Sequence, residues 1–137
     1  MIMKLINTLT IITWVLVMLV ACGGTGSDSL NGTAWELYSI GKYSPIAGGK
    51  ITIRFEDGQV SGNAGCNSYG GEYQVNGKQI KFNQMASTLM ACVDQSMMEQ
   101  ESTYLKFLGE AQRFELANGQ LQIYRSDGEA LTFVRAQ

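Results

Sequence analysis

The chain has 137 residues, of which 45% are hydrophobic and 16% charged, a composition that fits one folded domain and excludes an intrinsically disordered chain. Its formal net charge is −2 and its basic residues are scattered, so the sequence lacks the basic footprint of a nucleic-acid-binding protein. The chain contains no histidine, which removes the commonest general base and metal ligand and excludes a Ser-His or Cys-His catalytic pair within it.

The N-terminus has the pattern of a bacterial lipoprotein leader. Lys4 precedes a mainly apolar run over residues 5–20, which is shorter and more polar than a membrane-spanning helix. Residues 19–22 read LVAC and resemble a lipobox, in which the cysteine receives a diacylglycerol and the leader is removed. Several acyl chains on one residue give stable anchoring, whereas a single chain binds a bilayer only marginally. We therefore predict a signal peptide over residues 1–21 and lipid attachment at Cys22; the alternative is an uncleaved membrane anchor.

A short tether separates this cysteine from the folded domain. Residues 23–29 read GGTGSDS, a run of small and polar residues that is typical of a flexible linker. In enterobacterial sorting, a residue other than Asp after the lipidated cysteine favours the outer membrane, and Gly23 fits that rule. We predict the lipidated cysteine and tether over 22–29 and one domain over 30–137, in the bacterial cell envelope at the outer membrane, facing the periplasm.

Residues 34–40 predict a first strand with Trp35 and Leu37 facing inward, and glycine turns then predict a series of hairpins. Two-residue turns of the Asx-Gly type occur at 57–58, 76–77 and 118–119. These turns place apolar residues opposite one another, in the pairs Phe55–Val60, Tyr73–Ile80 and Phe114–Ile123. For the last hairpin, only a three-residue loop at 126–128 keeps the apolar faces matched. It predicts Ile123 opposite Leu131 and a left-handed Gly128.

The remaining two cysteines, Cys66 and Cys92, form an even pair in a chain predicted to be exported, where disulfides persist. A bridge would close a loop of about 27 residues and would stabilise the domain by about 3.5 kcal/mol in the chain-entropy model. A redox-active thiol and a metal site have less support, since there is no C-x-x-C motif and no histidine nearby. We therefore predict a structural disulfide and no metal.

One helix interrupts the hairpins. Residues 96–99 read SMME, a capping box that predicts a helix start at Ser96, and Gly109 is a plausible stop. The helical face that repeats at this spacing comprises Met97, Tyr104, Leu105 and Leu108. Short hairpins with one helix predict an α+β protein that is mainly antiparallel β, built as a strongly curved sheet or an incomplete β-barrel.

Three sequence blocks together resemble a known family. GCNSYGGEY over 65–73, STLMAC over 87–92 and LQIYRSDGEALTF over 121–133 are similar to the META domain of HslJ-type bacterial proteins. This resemblance implies a small curved β structure with one helix and an envelope location. Members of the family are often lipoproteins and some are linked to stress tolerance. No enzymatic activity, cofactor or ligand comes with the resemblance.

Several side chains leave other functions open. The thioethers near Cys92 could bind Cu(I) but are more often core fillers; they are Met85, Met90, Met97 and Met98. Glu99 and Glu101 could form a general-acid pair or simply complement the helix dipole. Cys66 could be a nucleophile, although no histidine could activate it. The aromatic residues that could line a binding face are Trp35, Tyr38, Tyr43, Tyr69 and Tyr124.

Taken together, these patterns predict a lipid-anchored envelope protein with no catalytic residues and a binding or structural role in envelope stress tolerance. Its partners would be the membrane, through the lipid, and an envelope protein, with no nucleic acid, metal or cofactor. One alternative is an inhibitor or accessory subunit that docks on an envelope protein. Another is a carrier of a small apolar ligand inside the curved sheet.

Overall fold

The computed structural model describes residues 27–137; the predicted signal peptide and Cys22 lie outside this range. Eight antiparallel strands form a closed barrel in sequence order, and one helix lies between the fifth and sixth strands. In chain order the elements are β1 Thr33–Ile40, β2 Thr52–Glu56, β3 Gln59–Asn63, β4 Ser68–Asn76, β5 Gln79–Ser87, α1 Gln95–Gly109, β6 Arg113–Ala117, β7 Gln120–Tyr124 and β8 Ala130–Arg135. The predicted fold class is confirmed, with the barrel closed rather than incomplete.

The barrel has one weak seam, between β5 and β6. These strands share a single register pair, Gln79 with Arg113, flanked by hydrogen bonds from Ile80 N to Gln112 O and from Phe114 N to Lys78 O. Beyond that point α1 lies against β5. The second half of β5 therefore has β4 on one side and the helix on the other.

The hairpin pairs are confirmed at three of the four turns. Phe55 pairs with Val60, Phe114 with Ile123, and the bulged loop pairs Ile123 with Leu131 and places Gly128 at φ 86°. The prediction for the second hairpin is wrong by one turn position. The turn is Gly77-Lys78, so that Val75 rather than Tyr73 lies opposite Ile80.

A turn preference explains this shift. At the second hairpin only Gly77 has a positive φ, of 60°, and a type II′ turn wants glycine at its first central position. Moving the turn by one position shifts the strand register by two residues. Side chains on a strand repeat every two residues. Every side chain therefore keeps its predicted face.

Large side chains fill the inside of the barrel. Phe55 and Tyr73 meet edge to face with ring centroids 4.9 Å apart, and Tyr104 of the helix contacts both Tyr69 and Phe133 in the same manner. Burial raises the pKa of the Tyr69 and Tyr104 hydroxyls above the usual range, so both stay neutral. The largest buried side chains are Trp35, Phe55, Tyr104, Phe107, Phe133, Leu30, Ile51, Ile53, Leu108, Leu121, Ile123 and Leu131.

The N-cap of the helix lies two residues before the predicted one, and the helix begins at Gln95. Asp94 is the N-cap, and its carboxylate accepts hydrogen bonds from the Ser96 backbone N–H at 2.8 Å and from the Ser96 hydroxyl. These bonds hold the pKa of Asp94 below its usual value. The helix ends at Gly109 as predicted. Its buried face is Glu101, Tyr104, Phe107 and Leu108, so an acidic residue lies where the apolar pattern passes through position 101.

The two ends of the barrel differ. At one, named here the tether end, residues 28–32 lie beside the turns at 57–58 and 77–78. There Leu30 is fully buried and Asp28 accepts hydrogen bonds from the Leu30 N–H and the Tyr73 hydroxyl. At the other, named here the helix end, residues 64–67 meet residues 88–94 and the start of α1. No helix within residues 27–137 has the length and apolar character needed to cross a membrane.

Strand bending depends on a glycine in β3. A Cβ built at Gly62 would lie 2.0 Å from the Thr52 carbonyl oxygen and 3.0 Å from the Tyr69 ring. That carbonyl also accepts a hydrogen bond from the Tyr69 hydroxyl at 2.9 Å. Only a residue without a side chain allows the two strands to approach this closely at the bend.

We predict that Gly62→Ala lowers the free energy of unfolding by about 1–3 kcal/mol, because the backbone must move away from Thr52. The matched control is Gly109→Ala, where nothing lies within 4 Å of the added carbon and helix propensity favours alanine by up to about 1 kcal/mol. Urea unfolding followed by circular dichroism measures both. Equal stability of the two variants would contradict the proposed close approach.

Candidate functional site

The helix end gathers the residues that the sequence singled out around its second and third cysteines. Cys66 and Cys92 are joined by a disulfide across 26 positions, with their Cα atoms 5.9 Å apart, as predicted. The bridge ties the loop after β3 to the chain that enters α1. It thereby fixes one end of residues 88–92, a stretch that belongs to no strand or helix.

Asn67, beside the bridge, uses the whole hydrogen-bonding capacity of its side-chain amide. Its Oδ1 accepts from the Met90 N–H at 2.7 Å and from the Thr88 hydroxyl at 2.8 Å. Its Nδ2 donates to the Met90 carbonyl at 3.1 Å and to Glu101 Oε1 at 2.7 Å. The amide thus bonds both backbone groups of Met90, as the peptide group of a neighbouring strand would. One side chain therefore extends the β4–β5 ladder past the end of β5.

Glu101 holds Asn67 in turn. Its side chain is 8% exposed, and its Oε2 accepts the backbone N–H of Asn67 at 2.7 Å and that of Cys66 at 3.1 Å. With the bond from Asn67 Nδ2, three donors converge on one carboxylate. A buried carboxylate is costly unless it is hydrogen-bonded in this way, so this glutamate acts as a clamp between the helix and the loop.

This role for Glu101 was not predicted from the sequence, which offered only a dipole contact or an acid pair with Glu99. The two carboxylates lie in different environments. Glu101 is buried, whereas Glu99 is exposed and accepts a hydrogen bond from Gln95. The burial of Glu101 could have been predicted from the helical spacing of the apolar residues. Position 101 lies four residues after Met97 and three before Tyr104, so a carboxylate there had to be buried with a partner.

Cys66, Cys92 and Glu101 place potential metal-ligand atoms within 4.8 Å of one another. The chemistry of this set does not suit a metal, because both sulfurs are bound to each other and thiolates are what metals bind. Oxidised Cys66 is likewise no nucleophile. The group is therefore a structural junction, in which the disulfide and the carboxylate hold the same loop from two directions.

The methionines divide between packing and exposure. Met85 packs against the core and Met97 is half-buried near Gly49. Met90 and Met98 are 60% and 46% exposed and line one groove. Of the four thioethers that the sequence offered as core fillers or Cu(I) ligands, two are thus packed and two are exposed.

The five candidate aromatic residues do not form one binding face. Trp35 and Tyr69 are core residues and Tyr124 lies beneath the Arg113 guanidinium, 3.6 Å from its ring centroid. Tyr38 and Tyr43 are exposed, near the loop between β1 and β2. A binding surface built on these five residues together is therefore excluded.

A groove of about 590 Å³ runs between residues 87–91 and α1, and we name it the edge groove. It is lined by those residues and by one stripe of the helix, and Asn67 and Glu101 also line it. Leu89 on its rim is 96% exposed, and the neighbouring Val93 is fully exposed. The residues that line the groove are Asn67, Ser87, Thr88, Leu89, Met90, Ala91, Met98, Glu101, Ser102, Leu105 and Lys106.

We predict that Asn67→Asp destabilises the fold by roughly 3 kcal/mol or more, because it replaces both donors with an acceptor that faces the Glu101 carboxylate and the Met90 carbonyl. The control is Asn76→Asp, at an exposed position at the end of β4, which should leave stability within about 0.5 kcal/mol. Thermal and urea unfolding compare the two. Identical stabilities would show that the amide donors do not support the loop.

Comparisons with known proteins agree with this architecture. An NMR structure of a protein from Burkholderia xenovorans is similar with a TM-score of 0.65 and 27% identity, over 79% of this chain and 84% of that one. A second protein solved by NMR has a TM-score of 0.64 and 24% identity, over 77% and 91%. A crystal structure of a DUF4847 family protein from Bacteroides vulgatus has a TM-score of 0.59 and 12% identity, over 79% and 95%. The last two show a likeness of fold alone.

No curated protein matches the sequence. The family model described as the META domain matches residues 28–137. This range begins at Asp28, the first residue held by the barrel, and includes all eight strands, the helix and the disulfide. The chain therefore belongs to the META domain family.

Proposed function

We propose that this protein is a non-catalytic binding domain of the bacterial cell envelope, anchored to the outer membrane by a lipid on Cys22 and acting on a protein partner in envelope stress tolerance. The observation that carries the proposal is that the buried carboxylate of Glu101 has a structural role. Glu101 receives three hydrogen bonds from the Cys66–Asn67 loop, so its carboxylate is engaged in holding that loop.

The proposed binding place is the outside of the barrel. The interior is occupied by packed aromatic and aliphatic side chains, which argues against a ligand carried within the sheet. Exposed apolar residues are instead found around the edge groove, where Leu89, Met90, Val93 and Met98 reach solvent. Exposed apolar groups gathered around a concave surface favour a binding site.

The lipid anchor is supported by the LVAC motif at 19–22 and by the short chain that separates Cys22 from the fold. Asp28 already contacts the barrel through Tyr73 and Leu30. A flexible tether of the kind that the sequence predicts would, over residues 23–27, have a root-mean-square span of about 12 Å. A lipid at Cys22 would therefore hold the tether end of the barrel close to the membrane surface.

We expect the intact mass of protein extracted from membranes to show the leader removed, acyl groups added and two hydrogens lost at the Cys66–Cys92 bridge. Cys22→Ala should lose the acyl mass, because the thiol that receives the diacylglycerol is gone. Ser27→Ala, in the same tether, is the control and should stay anchored. A full-length chain without acyl groups would refute the anchor.

The binding role predicts a protein partner in living cells. Chemical cross-linking of the intact chain, followed by recovery and mass spectrometry, should yield one dominant envelope protein above background. The same recovery from cells that express Asn67→Asp should give several-fold less adduct, because the loop that supports the groove is lost. Recovery of no protein, together with a lipid that co-purifies with the folded domain, would favour the carrier alternative and contradict the proposal.

A further inference from the structure

Ser87, the last residue of β5, and residues 88–91 after it have hydrogen-bond partners on one side only. Thr88 N donates to Ser68 O at 3.0 Å, and the Asn67 amide bonds both backbone groups of Met90. Because Thr88 and Met90 are two residues apart and turn their backbones to the same side, the backbone of Leu89 between them turns to the opposite side. Leu89 is one of the residues that line the edge groove.

The Leu89 edge has no hydrogen-bond partner in the described part of the chain. Within residues 27–137, no hydrogen bond engages the N–H or C=O of Leu89 or of Ala91. The Leu89 side chain is 96% exposed. An extended apolar edge with free backbone groups is the surface on which another strand adds, and proteins normally shorten, charge or cover such edges.

The opposite wall of the groove suits a strand that lies on this edge. Met98, Ser102 and Leu105 of α1 face the groove at the spacing of one helical stripe. An extended peptide between this helix and the edge could bond Leu89 and place alternate side chains against the two methionines, which adapt to irregular partners. The five-residue edge is about 17 Å long, enough for a short peptide segment.

Charge also restricts the occupant. The groove lining contains two charged residues, and one of them, Glu101, is already bonded to the Cys66–Asn67 loop. The other, Lys106, has a side chain that is 73% exposed, and its contact with Glu110 is long, at 3.9 Å. A peptide with an acidic group near Lys106 is therefore favoured over a basic one.

The position of the groove favours a protein over the lipid surface. The groove lies past the far end of β5, about 26 Å along that strand from the tether end. A lipid on Cys22, if the proposed anchor is correct, would hold the tether end at the membrane. The edge groove would then face away from the bilayer, toward proteins of the same compartment.

We propose that the edge groove binds an extended, apolar, acidic-ended peptide segment of a partner protein by strand addition to Leu89. This deepens the proposed binding role and rests on it. The main-chain groups of Leu89 supply the pairing, α1 supplies the side-chain contacts, and the Asn67–Glu101 clamp keeps the edge extended before the partner arrives.

The test places a photo-cross-linking amino acid at Ser102, on the exposed helix wall, in the full-length anchored protein in living cells. Leu89→Ala removes the side chain and keeps the N–H, whereas Leu89→Pro also removes the N–H. Both should fold normally, since Leu89 is exposed and its amide is unbonded within residues 27–137; melting temperatures check this. We expect Leu89→Ala to retain most of the adduct and Leu89→Pro to reduce it about tenfold.

Mass spectrometry of the adduct identifies the segment that is bound, which should be an apolar stretch with an acidic residue. Equal yields from the two Leu89 variants would overturn main-chain pairing. An adduct to a second copy of this chain, or to lipid, would overturn the stated occupant. A second cross-linker at exposed Tyr38 separates the two proposals. Adducts at Tyr38 without adducts at Ser102 would overturn strand addition alone. The absence of adducts at both positions would overturn the binding role as well.

Discussion

The carboxylate of Glu101 is the contact on which the helix end of this barrel depends. It accepts three hydrogen bonds from two consecutive residues, Cys66 and Asn67. Through them it fixes an amide that holds Met90 by both backbone groups. A carboxylate removed from water is tolerated only with such a set of donors. Because the clamp and the disulfide restrain the same loop, the chain between β5 and α1 keeps a defined path without belonging to a strand.

The clamp explains how an exposed edge can remain ordered. A free chain that carries Leu89, Met90 and Val93 would gain by folding its apolar side chains inward, yet these side chains stay in solvent. Asn67 prevents that collapse by bonding Met90 where a strand would otherwise lie. The order of the edge before any partner binds would lower the entropy lost on association.

The interior of the barrel forms the core, and its packing also sets the position of the helix on the outside. The helix inserts Tyr104, Phe107 and Leu108 among the strand side chains, and the Tyr69 and Tyr104 hydroxyls bond each other at 2.6 Å. This packing fills the space between the strands with side chains. It also sets the helix at the angle that leaves Met98, Ser102 and Leu105 beside the end of β5. The groove therefore results from the packing of the helix against the core.

The local strand pairs and the disulfide could be predicted from short-range patterns in the chain. Turn glycines and alternating apolar residues specify three of the four hairpins, because both signals act over a few residues. The second hairpin differs from its prediction because Asn76-Gly77 fits two turns. In a type I′ turn both residues are central, whereas in a type II′ turn Gly77 is the first central residue. The shift preserved every face, so the core was still predictable. Cys66 and Cys92 were predictable as a pair because the predicted lipid attachment at Cys22 leaves no other cysteine in the chain.

The closure of the barrel and the contacts of Glu101, Asn67 and Leu89 depend on how distant parts of the chain pack together. The partners of Asn67 are 21 and more residues away in the chain, and no short-range pattern specifies such pairing. A buried glutamate on an apolar helical face was a visible anomaly, but its donors depend on how the helix docks against the loop. The edge of Leu89 is exposed for the same reason: β5 meets β6 at one pair, and the docking of α1 decides what lies beside the rest of the strand.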